Sequence, residues 1–172
     1  MKKYFLPAAH EVLTTFRLKP ALISNVSDFG KTIRNLESVS IHIRRGDYAN
    51  TSLFNYHGLT SQTFYQQAID KISSLLVNPV FYIFSDNASW VEQNLHFFAD
   101  VELVSENTSK THYEDFYLMT QCRHNIIANS TFSWWAAWLN PNPDKIVIAP
   151  KKWYNQVKLD TSDLIPPEWI RL

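Results

Sequence analysis

The sequence predicts an α/β fold in which a mostly parallel sheet is flanked by helices. Five short strand-like runs, at 38–44, 80–84, 101–105, 125–128 and 145–149, are separated by segments with helical spacing. One of them, Val80-Phe-Tyr-Ile-Phe84, is uninterruptedly apolar, as a strand buried on both faces requires. With 172 residues, 45% hydrophobic and 19% charged, the chain is long enough to build a core and too apolar to be disordered.

Residues 7–18 read as a short helix, with Pro7 in its first turn and Val12, Leu13, Phe16 and Leu18 as its apolar positions. Phe29, Ile33 and Leu36 mark a second helix, and residues 1–37 together form a helical lead-in. The strand from Ser38 to Arg44 alternates, with Val39, Ile41 and Ile43 on one face and His42 and Arg44 on the other. A polar and aromatic loop, 46–59, contains Tyr48, Phe54, Tyr56 and His57. Thr60 then caps a helix running to Val77, with Phe64, Ala68, Ile72, Leu75 and Leu76 on its stripe, and Pro79 stops it. Ser85-Asp86-Asn87 supplies the turn and cap for a helix from Ala88 to Phe98. The remaining helices are expected at 112–123 and 130–139. An α/β domain over 38–152 results, and the tail, 153–172, packs across it as irregular structure plus a short helix.

Lys+Arg and Asp+Glu both number 16, which argues against a nucleic-acid coat. Cys122 is the only cysteine, so no intrachain disulfide can form and a reducing compartment is expected. No apolar run approaches a membrane span, and the apolar run after Met1 is too short for a signal peptide. Three glycines cannot supply a P-loop or a dinucleotide fingerprint. The six histidines lack paired ligand spacing and no Asp-X-Asp is present, so no metal is expected.

Two stretches carry candidate chemistry. The first strand ends in Arg44-Arg45-Gly46-Asp47, which delivers two guanidinium groups to one point. Two planar forks of donors suit a dianion such as a pyrophosphate; the alternative is a surface turn with solvated arginines. The second stretch, Asn129-Ser-Thr-Phe-Ser-Trp-Trp-Ala-Ala-Trp138, leaves a buried strand and opens a helix. Free N–H groups and the helix dipole favour an anion there, with Ser130, Thr131 and Ser133 as further donors, whereas the alternative is ordinary capping. In open parallel sheets ligands bind at the carboxyl ends of the strands. That rule puts Arg44-Arg45, Ser85-Asp86, Ser105-Glu106 and Asn129-Ser-Thr131 along one edge. Glu114 and Asp115 begin a helix and either complement its dipole or recognise a base. A carboxylate accepts from both N1–H and the 2-amino group of guanine, and His42 is placed to complete such a pocket.

His42-Ile-Arg-Arg-Gly-Asp-Tyr48 and Asn129-Ser-Thr-Phe-Ser-Trp-Trp-Ala-Ala-Trp-Leu139 resemble the signature motifs of the α-1,2-fucosyltransferases, glycosyltransferase family 11. Phe84-Ser-Asp86 followed by Trp90-Val91, and Asp115-Phe-Tyr-Leu-Met119, resemble its intervening blocks, and the likeness covers about residues 4–153. The resemblance implies transfer of L-fucose from GDP-fucose to a galactose hydroxyl of a glycan acceptor, with inversion and without a metal or other cofactor. It implies a GT-B-like enzyme whose Rossmann-like, donor-binding half is this chain. His42 would then sit near the guanine and Arg44 on the β-phosphate, with Arg45 in support. Asp115 would recognise the guanine, and Ser130, Thr131 and Ser133 would line the phosphates. Arg44 and Asp47 are the expected catalytic residues. Asp47 either orients the arginines or takes the acceptor proton, for which His57 is a second candidate.

The family's amino-terminal lobe, with its Gly-Gly-Leu-Gly-Asn-Gln-type motif, has no counterpart here, so a missing amino-terminal lobe or a second polypeptide is an expected partner. The expected location is cytoplasmic, peripheral at the inner face of a membrane. A non-catalytic GDP- or sugar-binding module, or an inactive fragment, is the alternative.

Overall fold

The computed structural model describes residues 6–46, 58–94, 101–155, 160–161 and 163–172. Its strands are β1 (Ser38–Ile43), β2 (Val80–Ser85), β3 (Val101–Leu103), β4 (His124–Ile126), β5 (Val147–Ala149) and β6 (Ile170–Arg171). All pair in parallel in a single sheet of order β3-β2-β1-β4-β5-β6. The order reverses between β1 and β4, and the helices that follow these two strands leave the sheet on opposite sides of that point. A crevice opens there at the carboxyl ends, where doubly wound sheets take their ligands.

Six α-helices accompany the strands among the described residues: α1 (Ala9–Thr15), α2 (Ser27–Arg34), α3 (Gln62–Ser73), α4 (Ala88–Asn94), α5 (His112–Gln121) and α6 (Thr131–Leu139). One sheet face, carrying Val39, Ile41, Ile43, Phe81 and Ile83, packs against Phe64, Ala68 and Ile72 of α3 and Val91 of α4. The opposite face presents Tyr82 and Phe84 to Ile33 of α2, Leu118 and Met119 of α5 and Ala136 of α6. Each of the Val, Leu, Ile, Phe and Met side chains among them, fully buried, contributes roughly 2 kcal/mol of transfer free energy. Helices α2 and α5 approach closely at Gly30, where a Cβ would lie 2.7 Å from the Tyr117 ring.

All six residues of β1 are buried, so its alternation separates two buried faces of different polarity. At Ser38 and Ser40 its polar face is hydrogen-bonded rather than solvated. The Ser38 hydroxyl donates to the Ile33 carbonyl at 2.8 Å and accepts from the Arg123 amide at 3.0 Å. The Asn125 side-chain amide donates to Ser40 Oγ at 2.7 Å. Burial pushes the Cys122 thiol up, which keeps it protonated and inert.

Several boundaries differ from expectation. Ser61, not Thr60, caps α3, its hydroxyl accepting from the Phe64 amide at 3.1 Å. Helix α3 ends at Ser73, and Val77, four residues on, is 80% exposed. Helix α1 is shorter than residues 7–18 and carries no buried residue; Phe16 instead stacks on Trp135 with ring centres 5.6 Å apart. The tail forms no α-helix among its described residues. Its Trp153, Ile165 and Trp169 pack with Trp134 and Trp138 of α6 and Val147 and Ala149 of β5, and its last residues add β6. No helix among the described residues is long and apolar enough to cross a membrane.

Candidate functional site

The crevice at the strand-order reversal is a cleft of about 470 Å³, within the range of small-molecule sites. His42 and Arg44 enter it from the end of β1, and Ser85 and Asp86 from the end of β2. Ser105, Ser109 and Asp115 come from the β3–α5 connection and the first turn of α5, and Ser130, Thr131 and Phe132 from the start of α6. The four strand ends that the carboxyl-edge rule places together therefore do converge.

His42 is 3% exposed, with its ring 5.5 Å from that of Phe132. Its Nδ1 is buried and has no hydrogen-bond partner among the described residues. Burial pushes its pKa down to about 4; Asp86 opposes that shift and Arg44 adds to it. The ring is therefore neutral near pH 7. An unsatisfied buried nitrogen costs about 1–3 kcal/mol, a cost that a ligand hydrogen bond can remove.

The two arginines diverge, contrary to the expectation that both guanidinium groups reach one point. Arg44 lines the cleft, with Nη1 3.0 Å from Asp86 Oδ2. Arg45 lies over the Trp90 ring of α4, its Cζ 3.5 Å from the ring centre, and is not part of the cleft wall. Burial lowers its pKa, and its buried Nε has no hydrogen-bond partner among the described residues. Successive residues leaving a strand point to opposite sides, which separates the pair. Arg45 can support the turn but does not reach the ligand side.

Glu114 and Asp115 are also distinguished. Glu114 completes a capping box with Thr111 and accepts from the Lys110 and Thr111 amides at 2.6 and 3.0 Å. Its carboxylate is occupied by helix structure. Asp115 instead faces the cleft, where the Ser105 hydroxyl donates to Oδ2 at 2.7 Å and the Ser109 hydroxyl to Oδ1. Burial raises the Asp115 pKa, and the two hydroxyls partly offset that. Each carboxylate oxygen has a second lone-pair site, so a carboxylate held this way can still accept a pair of parallel donors.

Ser130 occupies the N-cap position of α6 but makes no side-chain capping bond. Its hydroxyl and that of Thr131 lie at the cleft wall, at the positive end of a nine-residue helix. Ser133 is a correction: it is buried behind that turn, its hydroxyl bonded to the Ser130 carbonyl at 3.3 Å, and it does not line the cleft. Asn129 knits the surrounding segments, accepting from Thr60 Oγ1 at 3.0 Å and donating to the Gly58 and Trp153 carbonyls at 3.3 and 3.1 Å. Asp47 and His57 lie outside the described residues.

Asp86 lies on the expected edge, but neither its place in a turn and cap nor its place in a family-like block predicts its pairing with Arg44. Sequence reasoning also passed over Ser109 and gave Ser105 no role. The division between Glu114 and Asp115 was signalled by Thr111-X-X-Glu114, a capping-box pattern.

Residues 8–172 match the family model described as glycosyl transferase family 11. The chain is 36% identical over 166 residues to the O-antigen biosynthesis glycosyltransferase WbnK of Escherichia coli, covering 94% of this chain and 54% of that one. It is 34% identical over 177 residues to an alpha-1,2-colitosyltransferase of Escherichia coli, covering 99% and 59% respectively. Galactoside alpha-(1,2)-fucosyltransferase 2 of Pongo pygmaeus is 30% identical over 137 residues, 76% of this chain and 40% of that protein. Among solved structures, NodZ alpha-1,6-fucosyltransferase co-crystallised with GDP shares the fold, with a TM-score of 0.51 at 20% identity over 73% of this chain and 43% of that one. The chain thus spans 54% and 59% of the length of the two bacterial relatives.

Proposed function

The chain belongs to glycosyl transferase family 11, and from that premise we propose that it holds the nucleotide-sugar donor of a fucosyltransferase. The donor is GDP-fucose, the acceptor is a galactose hydroxyl of a glycan, and the anomeric carbon is inverted. The carrying observation is that Arg44, the open start of α6, the Ser-held Asp115 and His42, whose Nδ1 has no partner among the described residues, face one cleft at the switch point of the sheet.

Asp115 accepts from guanine N1–H and the 2-amino group, and the neutral His42 supplies a further contact to the nucleoside. Arg44, Ser130, Thr131 and the α6 N-terminus hold the diphosphate. When the bond between fucose C1 and the β-phosphate oxygen breaks, its electron pair stays on that oxygen. Arg44 and the helix terminus stabilise the growing charge, and this pre-positioned field takes the place of a metal in the proposal. The acceptor oxygen bonds to C1 from the opposite face and its proton passes to a base, for which Asp47 and His57 are the two candidates. A further lobe or a second polypeptide supplies the acceptor side. The likeness to the colitosyltransferase favours a second reading in which colitose replaces fucose in the same cleft.

Titration of the chain with GDP-fucose, and with GDP-colitose as the parallel donor, tests the proposal, and fucosylated lactose is the expected product once the acceptor-side lobe or polypeptide is added. Tight GDP binding without transfer from either donor would make the chain a binding module instead.

A further inference from the structure

Asp86 stands just beyond β2 and makes three contacts with one turn of the neighbouring strand. Its Oδ1 accepts from the Arg45 amide at 2.7 Å, and its Oδ2 accepts from the Gly46 amide at 2.9 Å. The same Oδ2 pairs with Arg44 Nη1 at 3.0 Å. One carboxylate therefore fixes both the backbone and the guanidinium of the turn that ends β1. Gly46 allows the close approach, since a Cβ there would lie 2.6 Å from Asp86 Oδ2.

By charge alone this residue is misplaced. It lines the cleft proposed to take a diphosphate, and a carboxylate beside phosphate repels it. Its retention at the cleft wall needs a compensating service, and its contacts supply one. An arginine side chain is long and costly to order, and its fork binds phosphate well only when its plane is already set. Asp86 sets that plane through Nη1 and sets the origin of the side chain through the two amides. Resting on the donor assignment above, we propose that Asp86 is a positioning residue that pre-aligns Arg44 on the donor diphosphate, a service that outweighs its repulsion of that group.

Charge and position predict opposite signs, which makes the test decisive. GDP and guanosine are titrated into the full chain carrying Asp86→Asn. Removal of a repelling charge alone would tighten GDP. Loss of positioning weakens GDP, by about tenfold for a disturbed charge-assisted contact, while guanosine, which lacks the diphosphate, keeps its affinity. Asp86→Glu keeps the charge and displaces it by a methylene: positioning predicts the same loss, charge alone predicts no change. This second variant decides the matter if Asp86→Asn does not fold. In an Arg44→Gln background Asp86→Asn should no longer weaken GDP, since the contact it disturbs is already gone and only the repulsion is relieved.

GDP binding as tight as or tighter than the parent's in both variants would overturn the proposal. Parallel loss of GDP and guanosine would overturn it too, by assigning Asp86 to the fold of the cleft. Failure of the unsubstituted chain to bind GDP is a different result, and refutes the donor assignment itself.

Discussion

The Ser105 hydroxyl donates to Asp115 Oδ2 at 2.7 Å while accepting from the Ser85 amide at 2.9 Å, so one side chain ties the end of β2 to the carboxylate that opens α5. Its single proton is committed to Asp115. The carboxylate plane is therefore set by the scaffold before any ligand arrives, a preorganisation that lowers the cost of binding. Ser105→Ala leaves the Ser85 amide without its acceptor and leaves Asp115 held by Ser109 alone. The expected loss of stability is about 1–2 kcal/mol. The expected functional change is a smaller preference for GDP over IDP, which lacks the 2-amino donor; calorimetric titration of both nucleotides measures it.

In the proposed site guanine recognition needs an ionised Asp115, and burial raises the pKa of that group. A raised carboxyl pKa means that the charged form is present above the folded value and lost as pH falls through it. GDP affinity should therefore decline on acidification, beginning above the ordinary value of 3.8. Asp115→Asn should bind GDP weakly at all pH values and lack this step. Titration of both proteins from neutral to acid pH measures it.

His42 carries the opposite pKa shift, and its effect is on stability. Its pKa falls from 6.5 to about 4 on folding, so the unfolded chain binds the proton more readily. Stability is fully present above the unfolded value and is lost as pH falls from 6.5 toward 4. The linkage amounts to roughly 3 kcal/mol at the acid end. Urea denaturation across this range should show a shallower decline for His42→Gln than for the parent. Equal slopes would mean that the ring is not buried as a neutral base.

Trp134 holds the tail to the domain. It is fully buried, donates its indole N–H to the Leu164 carbonyl at 2.9 Å and lies 5.6 Å from the Trp169 ring. Trp134→Ala should cost about 3–5 kcal/mol, as other large-to-small changes in cores do. Trp134→Phe should cost less, since it retains most of the packing and loses the N–H. Denaturant midpoints of the two variants separate these contributions.

The sheet was legible because its inner strands are apolar or alternating runs that stop at polar or glycine residues, as β1 does before Gly46 and β2 does at Ser85-Asp86. β6 was not. Two residues, Ile170 and Arg171, display no period. They pair because the chain end returns to the open edge of β5, with the Leu172 amide donating to the Ala149 carbonyl at 3.1 Å and the Lys151 amide to the Leu172 carbonyl at 2.7 Å. In the cleft, the meeting of Arg44 with Ser130 and Thr131 follows from the carboxyl-edge rule. The partner of Arg44 does not. Ser85, Asp86 and Asn87 are all competent turn and cap residues, and only the register, which sets Ile43 opposite Ser85, brings Asp86 beside the arginine. Asn87 takes the cap, accepting from the Trp90 amide at 2.9 Å, and leaves Asp86 to the turn. The two guanidinium groups do not meet at one point because strand parity splits a doubled residue, which leaves Arg45 over Trp90.

The central claim is that the cleft between β1 and α6 reads a guanine nucleotide and neutralises its diphosphate with side chains and a helix terminus. Titration of the chain with GDP and with UDP, in buffer containing EDTA, tests it most directly. The expected result is saturable binding of GDP that is tighter than that of UDP and is largely lost in Arg44→Ala. Equal affinity for the two nucleotides, or GDP binding that Arg44→Ala leaves intact, would contradict it.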